Sequence, residues 1–437
     1  MSRKDSQLFH ETKVGPIPQD WKCLEFGELL REPPTYGANA SAEPFQDGGI
    51  RYIRITDITE DSKLKSSGKK SLPTDVGEKY ILSDGDILLA RSGSVGRSLV
   101  YRSTHGLAAF AGYLLRFRLG ERASVDFVSQ YLHSDAYWTW VNGAAKIGAQ
   151  PNINAEQYKS LPIPIPPLQE QKDISAILTA VNDKVDVIAR QIETTQALKR
   201  GLLQTLLSRG VGIQEASGRW VPHKEFKLLS SQSFPAIWNS RRLGDIAPLI
   251  RRPVEIHPDS LYPELGLRSY GKGTFHKPAL LGSEVGNKRL FQIRAGDLLF
   301  SNVFAWEGAV AVAKPEDDGR YGSHRYITCA VDATYADTTF LFRYLTTPVG
   351  ITSLTLASPG GAGRNKTLGL GALADITVPI PPLEEQRKIS QILDEVDAKL
   401  FALDSRRSAC EALKRGLMHK LFTGEWRVRF DTSAAMT

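Results

Sequence analysis

The chain repeats itself at a constant distance, and this internal repeat restricts its possible folds more than any other feature. Residues 163–208 align with residues 378–423 at a shift of 215 without a gap, and 20 of the 46 positions are identical. The identities concentrate at the two ends of the repeat, in PPLxEQ and in ALKRGL. Such a duplication predicts two copies of one structural unit related by a pseudo-two-fold axis.

Each copy of the repeat begins with a proline run and is predicted to continue as a long helix. Because proline runs favour extended backbone, they mark the helix entrance, and helices should start near Leu168 and Leu383. Glu170, and Glu384 with Glu385, then fall in the first turn, where the helix dipole favours negative charge. Roughly 40 residues at about 1.5 Å each would give a rod about 60 Å long.

Apolar side chains recur along both predicted helices in alternating steps of four and three, which is a heptad pattern. The predicted helix seam consists of Ile174, Leu178, Val181, Val185 and Ile188, and of Ile389, Leu393, Val396, Leu400 and Leu403. Two interpretations stay open: the helices form an antiparallel coiled coil, or each is a buried helix of its own domain. Because Arg407 and Cys410 replace apolar or neutral residues of the first copy, the second helix is expected to pair less tightly there.

The segments that precede the two helices also resemble each other. A PxxW motif followed by a glycine occurs at residues 18–27 and again at residues 235–244. Further on, GDILLARSGSVG from Gly85 parallels GDLLFSNVFAWEG from Gly296. Both stretches predict a turn at Gly-Asp, then a buried strand, then a polar loop.

Shorter patterns complete the predicted fold. Residues 51–58 and 110–119 predict strands, and residues 127–141 predict a helix. The predicted fold class is mixed α/β, with two domains separated by two long helices that pack as an antiparallel pair. The predicted boundaries are 1–161 for the first domain, 162–210 for the first helix, 211–233 for a linker, 234–377 for the second domain, 378–424 for the second helix and 425–437 for a tail.

Composition narrows the function classes. The chain has 55 basic and 48 acidic residues, and this net charge of +7 mildly favours polyanionic partners. Its three cysteines lie far apart without a CxxC pair, and its eight histidines show no metal-ligand spacing, so no metal site is predicted. Neither a signal peptide nor a membrane span is evident, which predicts a cytoplasmic protein.

With the duplicated PIPPLxEQ and KRGL motifs and the tryptophan-containing start of each domain, nearly the whole chain resembles the specificity subunits of type I restriction-modification systems. The resemblance implies two target-recognition domains, each reading one half of a split double-stranded DNA site. It further implies that the long helices set the spacing and bind two modification (methyltransferase) subunits, and that restriction subunits can join. The chain itself would then have no catalytic residues and no cofactor, with S-adenosylmethionine bound by the modification subunits.

Sequence readout needs arginine for guanine and asparagine or glutamine for adenine, with lysine on phosphates. The candidate DNA-binding residues of the first domain are Arg54, Thr56, Lys69, Lys70, Arg91, Ser92, Ser94, Arg97, Lys146, Gln150 and Asn152. Those of the second domain are Arg268, Ser269, Tyr270, Lys272, Asn302, Trp306, Arg325, Arg364, Asn365 and Lys366. For each charge the competing interpretation is a solvated surface residue, and Trp306 could equally be a core aromatic.

Two stretches resemble catalytic motifs but lack a required residue. In GGAGRNKT, Asn365 occupies the place where a phosphate-binding loop needs glycine before the lysine. In the stretch from Glu32 to Tyr36, the first residue is wrong for an amino-methyltransferase motif. Two further functions stay open beside the specificity subunit, a stand-alone DNA-binding regulator and a self-contained methyltransferase, and a purely structural coiled-coil scaffold is a third.

Overall fold

The computed structural model describes residues 9–145, 151–229, 232–360 and 366–428. The chain divides into two compact units: unit 1 contains residues 1–189 and 405–437, and unit 2 contains residues 190–404. Each unit therefore combines one domain with the start of one long helix and the end of the other. Within the described ranges, no helix has the length and apolar character needed to cross a membrane.

Unit 1 contains short strands, short helices and the beginning of the first long helix. Its strands are β1 (Phe9–His10), β2 (Ile17–Pro18), β3 (Lys22–Glu25), β4 (Thr35–Tyr36), β5 (Glu43–Pro44), β6 (Arg51–Ile53), β7 (Lys70–Ser71), β8 (Ile87–Ala90), β9 (Ser98–Val100), β10 (Ala108–Phe110), β11 (Leu114–Phe117) and β12 (Pro162–Ile165). Its helices are α1 (Thr74–Gly77), α2 (Val125–Tyr131), α3 (Asp135–Ala144), α4 (Ala155–Lys159) and α5 (Leu168–Arg209), which ends in unit 2.

Unit 2 has a similar order of elements. Its strands are β13 (Ile213–Gln214), β14 (Trp220–Val221), β15 (Phe226–Leu229), β16 (Gln232–Pro235), β17 (Asn239–Arg242), β18 (Leu249–Ile250), β19 (Leu261–Leu267), β20 (Thr274–Leu281), β21 (Leu290–Gln292), β22 (Leu298–Ser301), β23 (Val310–Val312), β24 (Tyr321–Ser323), β25 (Tyr326–Cys329) and β26 (Thr377–Ile380). Its helices are α6 (Leu243–Ile246), α7 (Gly282–Val285), α8 (Thr338–Leu345), α9 (Pro348–Leu356), α10 (Leu370–Ala374) and α11 (Leu383–Phe422), which ends in unit 1.

Each domain contains an antiparallel four-stranded sheet, and the two sheets have equivalent strand orders. The order is β4-β11-β8-β9 in unit 1 and β18-β25-β22-β23 in unit 2. The buried strands β8 and β22 follow the predicted Gly-Asp turns, in which Gly85 and Gly296 have φ angles of 83° and 86°. Since a left-handed φ favours glycine, these two positions explain why the turn is kept in both copies.

The second sheet differs between the domains. Its order is β10-β6-β7-β5 in unit 1 and β20-β19-β24-β21 in unit 2. Each contains one parallel pair, β6 with β10 and β19 with β24, but the flanking partners are not the same. In unit 2 a long hairpin of β19 and β20 occupies one edge. The two domains thus resemble each other in the first sheet and differ in the second, so their surfaces need not have the same shape.

The two long helices begin where the proline runs predicted. Helix α5 starts at Leu168 and spans 42 residues, and α11 starts at Leu383 and spans 40. The first prolines of each run, Pro162 and Pro164 in β12 and Pro379 in β26, lie in strands that pair with β3 and β17. The substitutions at Arg407 and Cys410 do not interrupt α11, which stays helical to Phe422.

Within each unit the start of one long helix packs beside the end of the other. In unit 1, Ile174 and Leu178 share a core with Leu421 and Phe422. Further along α5, Asp186 is close enough to Lys414 to oppose the lowering of the Lys414 pKa by burial. Because Lys414 precedes Leu421, the two segments run in opposite directions. The predicted antiparallel packing is thus confirmed in unit 1. The start of α5 also packs against the domain that precedes it, because the same core contains Phe127 of α2.

Unit 2 contains the equivalent antiparallel pair. There, Ile389 shares a core with Leu206, and Lys199 Nζ lies 2.5 Å from Asp397 Oδ1. Of the remaining predicted seam residues, the following are buried or half-buried: Val181, Val185, Ile188, Leu393, Val396, Leu400 and Leu403.

A buried tryptophan–glutamate site explains part of the repeated PPLxEQ motif. In unit 1, Trp21 Nε1 donates to Glu170 Oε2 at 3.1 Å, and in unit 2, Trp238 Nε1 donates to Glu385 Oε2 at 2.9 Å. Arg427 also pairs with Glu170, with Nε 2.8 Å from Oε1. The predicted position in the first helical turn is confirmed, but these glutamates are buried and held by side chains as well as by the helix dipole.

The glutamine that follows each of these glutamates joins the helix start to its domain. Gln171 Oε1 accepts from Ser124 N at 2.7 Å, and Gln386 Oε1 accepts from Asp337 N at 2.8 Å. Their Nε2 atoms donate at 2.9 Å to carbonyls of the preceding proline runs. The motif is therefore structural, since both side chains satisfy buried polar groups.

Three sequence predictions were wrong in extent. After β6, Asp57 Oδ2 accepts from Arg54 N at 2.8 Å and forms a helical turn, so residues 51–58 are not one strand. Residues 110–119 are divided by a turn between β10 and β11. Residues 127–141 form two helices, because Ser134 Oγ accepts from Tyr137 N at 3.2 Å and starts a new one.

Candidate DNA-recognition loops

In both domains the aspartate of the Gly-Asp turn is a structural residue that an arginine holds at the start of the buried strand. Arg118 Nε donates to Asp86 Oδ1 at 2.7 Å in unit 1. In unit 2, Arg252 Nη1 donates to Asp297 Oδ2 at 2.6 Å, and this hydrogen bond raises the pKa of Arg252. The two arginines come from different parts of the two domains, although they hold equivalent turns.

The first residue of each loop has the same backbone environment. Arg91 N donates to Tyr113 O at 3.0 Å, and Asn302 N donates to Arg325 O at 2.7 Å. Arg91 O accepts from Ile153 N at 2.9 Å, and Asn302 O accepts from Leu368 N at 2.8 Å. The base of each loop is thus fixed on both sides, and Arg91 and Asn302 are structurally equivalent.

Two of the predicted arginines of unit 1 are held by neighbouring groups. Arg54 forms a two-point ion pair with the buried Asp57, with Nε–Oδ2 and Nη2–Oδ1 distances of 2.9 and 2.7 Å. This hydrogen bonding raises the pKa of Arg54. Arg97 Nη1 donates to Ile58 O at 2.9 Å. Arg97 therefore joins loop 91–98 to loop 54–65, whereas Arg54 stabilises its own loop.

The other predicted residues of unit 1 differ in their exposure. Ser92 forms an isolated β-bridge with Asn152, and Ser94 O accepts from Arg97 N at 3.1 Å. Lys69 Nζ lies 5.2 Å above the Phe45 ring. Thr56 and Lys69 are exposed, and Lys70 is half-buried in β7. Lys146 and Gln150 lie outside the described residues.

In unit 2 the predicted residues come together from two adjoining loops. Tyr270 N donates to Glu307 O at 2.9 Å, and Ser269 Oγ donates to Glu307 Oε2 at 2.9 Å, so loop 268–273 packs on loop 302–308. Tyr270 is 73% exposed at a φ of 62°, and Lys272 Nζ lies 5.8 Å above its ring.

The remaining residues of unit 2 border this surface. Trp306 is half-buried, its Nε1 donates to Val303 O at 2.9 Å, and Lys366 Nζ lies 4.9 Å above its ring. Arg268 Nη1 donates to Thr274 O at 2.6 Å. Arg325 is exposed. Arg364 and Asn365 lie outside the described residues.

Sequence reasoning missed two tyrosines of unit 1. Tyr36 is 44% exposed and stacks under the Arg91 guanidinium at 5.0 Å, and Tyr113 is 64% exposed beside Arg91. Tyr36 lies in β4, where an aromatic residue is more often part of the core, and Tyr113 lies in the turn before β11, so neither had a signal of its own. The arrangement of cations over exposed aromatic rings suits stacking on bases or sugars.

Among the described residues no group of three or more His, Cys, Asp or Glu side chains could hold a metal ion. The charged residues of the loops are mainly arginine and lysine, which bind phosphates and base edges.

Comparison with known proteins identifies the family. A family model described as the type I restriction modification DNA specificity domain matches residues 18–196 and 235–409. The two matches span most of the chain and begin at the two PxxW motifs, and the chain therefore belongs to this family. It is a specificity subunit, a class of non-catalytic proteins that recognise DNA sequence while partner subunits perform catalysis.

Full-length relatives agree with this assignment. The chain is 26% identical over 443 residues to a Methanocaldococcus jannaschii protein assigned as the MjaX specificity subunit of a type I restriction enzyme, covering 96% of this chain and 97% of the relative. The MjaVIII specificity subunit of the same organism is 21% identical, with 94% of each chain covered. The fold is similar to the crystal structure of a type I S subunit from M. genitalium, with a TM-score of 0.56, 16% identity and coverage of 92% and 96%.

Proposed function

We propose that this chain reads a bipartite DNA site, with one half-site bound by each domain, residues 1–161 and 234–377. Two modification subunits dock on the long helices, bind S-adenosylmethionine and methylate an adenine in each half-site. A restriction subunit can join the complex and cleave unmodified DNA. The complex acts in the cytoplasm, where its DNA substrate is located.

The observation that carries this proposal is a loop that occurs in both domains at the same place on equivalent sheets. Arg91 and Asn302 begin equivalent loops with equivalent backbone hydrogen bonds, while the second sheets around them differ. A pair of equivalent but unlike readers suits a target whose two halves have different sequences. Since lysines and arginines border both loops, binding should also weaken steeply as salt rises.

Exchanging one domain tests the bipartite site. If residues 18–161 are replaced by the equivalent segment of a relative, one half of the methylated motif should change and the other half should stay the same. The readout is sequencing of methylated adenines in cells that express the chimaera with its modification subunits. Changes in both halves would contradict the assignment of one half-site to each domain.

Docking of the partners is proposed at the repeated ALKRGL segments. Leu198 in unit 2 and Leu413 in unit 1 occupy the same position of the repeat and are 52% and 55% exposed. An apolar side chain that is identical in both copies and accessible to solvent suits the centre of a protein interface. The two positions would supply two equivalent docking surfaces, which fits two copies of one partner.

A charge at either position tests this docking. Leu198→Asp and Leu413→Asp should each weaken binding of purified modification subunits by about tenfold or more, because a carboxylate cannot be buried unpaired in the interface. Binding is measured by sedimentation or by titration calorimetry. Leu228→Asp is the matched control, since Leu228 is 79% exposed on β15 and lies outside the repeat. Wild-type affinity in both helix variants would refute the docking surface.

A stand-alone regulator is the alternative function. It would bind its site tightly and specifically without partners, whereas a specificity subunit needs the modification subunits for full specific affinity. Gel shifts of the chain alone and of the reconstituted complex distinguish the two. Methyl transfer by the chain alone from labelled cofactor would instead establish a self-contained methyltransferase.

A further inference from the structure

Arg91 and Asn302 differ from the other candidate residues in how their side chains are satisfied. Atoms Arg91 Nε and Asn302 Oδ1 are buried without a hydrogen-bond partner among the described residues. Only two other side-chain atoms of the described part share this state, His10 Nδ1 and Arg343 Nε. Buried polar atoms are nearly always paired, so two exceptions at equivalent positions of two domains require an explanation.

Other candidate side chains donate hydrogen bonds to neighbouring groups, whereas Arg91 Nε and Asn302 Oδ1 have no partner within the described ranges. Arg54, Arg97 and Arg268 donate to carboxylates or carbonyls at 2.6–2.9 Å. Arg91 makes a ring contact with Tyr36 through the face of its guanidinium, and its Nε donor has no partner among the described residues. Turning either side chain toward a DNA base would break no described hydrogen bond of that side chain, and it would give the unpaired atom a partner.

The two residue types match two different bases. Arginine donates two hydrogen bonds to O6 and N7 of guanine, and asparagine accepts from N6 and donates to N7 of adenine. In Asn302 the unpaired atom is Oδ1, which is the acceptor that adenine N6 requires. In Arg91 the unpaired atom is a donor, and guanine presents only acceptors, O6 and N7, on its major-groove edge.

The backbone on both sides of each residue is fixed, which suits a base reader. Each residue donates through its N–H and accepts through its carbonyl, so its Cα is held at the end of a buried strand. In unit 1, Tyr36 additionally orients the guanidinium plane. Fixed geometry lowers the entropy lost on binding and penalises the wrong base.

From these observations we infer that Arg91 and Asn302 are equivalent specificity-determining residues, with Arg91 reading a guanine in one half-site and Asn302 reading an adenine in the other. This inference rests on the proposed bipartite function. It explains how one duplicated scaffold recognises two unlike half-sites, because a single equivalent position carries a different reader in each copy.

The test uses the full chain with its modification subunits and a randomised DNA library, with the methylated sequences as readout. Arg91→Lys keeps the charge but loses the two-point contact, so discrimination for one guanine should fall by between about fivefold and a hundredfold. Asn302→Asp loses the donor to N7 and should relax one adenine to a similar extent. The two relaxed bases must lie in different half-sites, and every other position should keep its preference.

Lys69→Ala is the matched control. Lys69 is exposed and its Nζ is a point charge suited to phosphate, so its removal should lower methylation evenly across sequences. If the wild-type complex methylates a bipartite motif but Arg91→Lys and Asn302→Asp leave the base preferences unchanged, the inference is overturned and the proposed function stands. A wild-type complex that methylates no bipartite motif would overturn the proposed function as well.

Discussion

Replacement of Glu385 by alanine is expected to lower the unfolding free energy of unit 2 by about 3–5 kcal/mol. The side chain of Glu385 is 1% exposed and accepts hydrogen bonds from four groups. The donors are Trp238 Nε1, His223 Nε2, Val211 N and Gly212 N, at 2.8–2.9 Å. Alanine would leave the two buried donors, Trp238 Nε1 and Gly212 N, without a partner, and such groups each cost about 1–3 kcal/mol.

The neighbouring Glu384 provides a matched control. It has the same side chain one residue earlier in the first turn of α11, but it is exposed. Glu384→Ala should therefore change the unfolding free energy by at most about 0.5 kcal/mol. Native-state hydrogen exchange is the suitable measurement, because it reports each unit separately where one melting curve would average them. Equal protection of unit 2 in both variants would contradict the structural role of Glu385.

Replacement of Phe422 by alanine is expected to destabilise unit 1 by about 3–5 kcal/mol. Phe422 is 5% exposed at the end of α11, and its ring packs edge-on against Phe127 and Tyr131 with centroid distances of 5.4 and 5.3 Å. Removing the ring leaves a cavity and loses two aromatic contacts. The end of α11 would then keep only Met418 and Leu421 as buried members of the unit 1 core.

Phe401→Ala is the control for this substitution. Phe401 lies on the same helix and is 75% exposed, so its removal should change stability by at most about 0.5 kcal/mol. Urea unfolding followed by hydrogen exchange in α2 and in the end of α11 would measure the difference. If Phe401→Ala and Phe422→Ala were equally stable, the packing of α11 on unit 1 would be wrong.

The features predicted correctly from sequence are local ones. Proline runs determined where α5 and α11 begin, because proline cannot occupy a helix interior. The glycines at 85 and 296 marked turns because their positive φ suits no other residue as well. The heptad pattern predicted which side chains become buried, since it depends only on helical periodicity.

The features that were missed depend on residues distant in sequence. Nothing near Glu170 indicates that its carboxylate pairs with Arg427, which lies 257 residues away. Arg54 and Arg97 were DNA-binding candidates by residue type. In the structure, Arg54 donates to Asp57 and Arg97 donates to a backbone carbonyl of a neighbouring loop. Hydrogen-bond partners are decided by which loops become neighbours, and that information is absent from local patterns.

The repeat by itself therefore determined the architecture of this protein: two alike domains, two long helices and the family to which they belong. Only the tertiary structure decided which of the candidate residues remain available to DNA. The physical reason is that a residue's chemical capacity follows from its type, whereas its availability follows from the donors and acceptors that folding places around it. Arg91 and Asn302 illustrate the difference: among the described residues, Arg91 Nε and Asn302 Oδ1 have no hydrogen-bond partner at equivalent positions, while Arg54 and Arg97 donate to neighbouring groups.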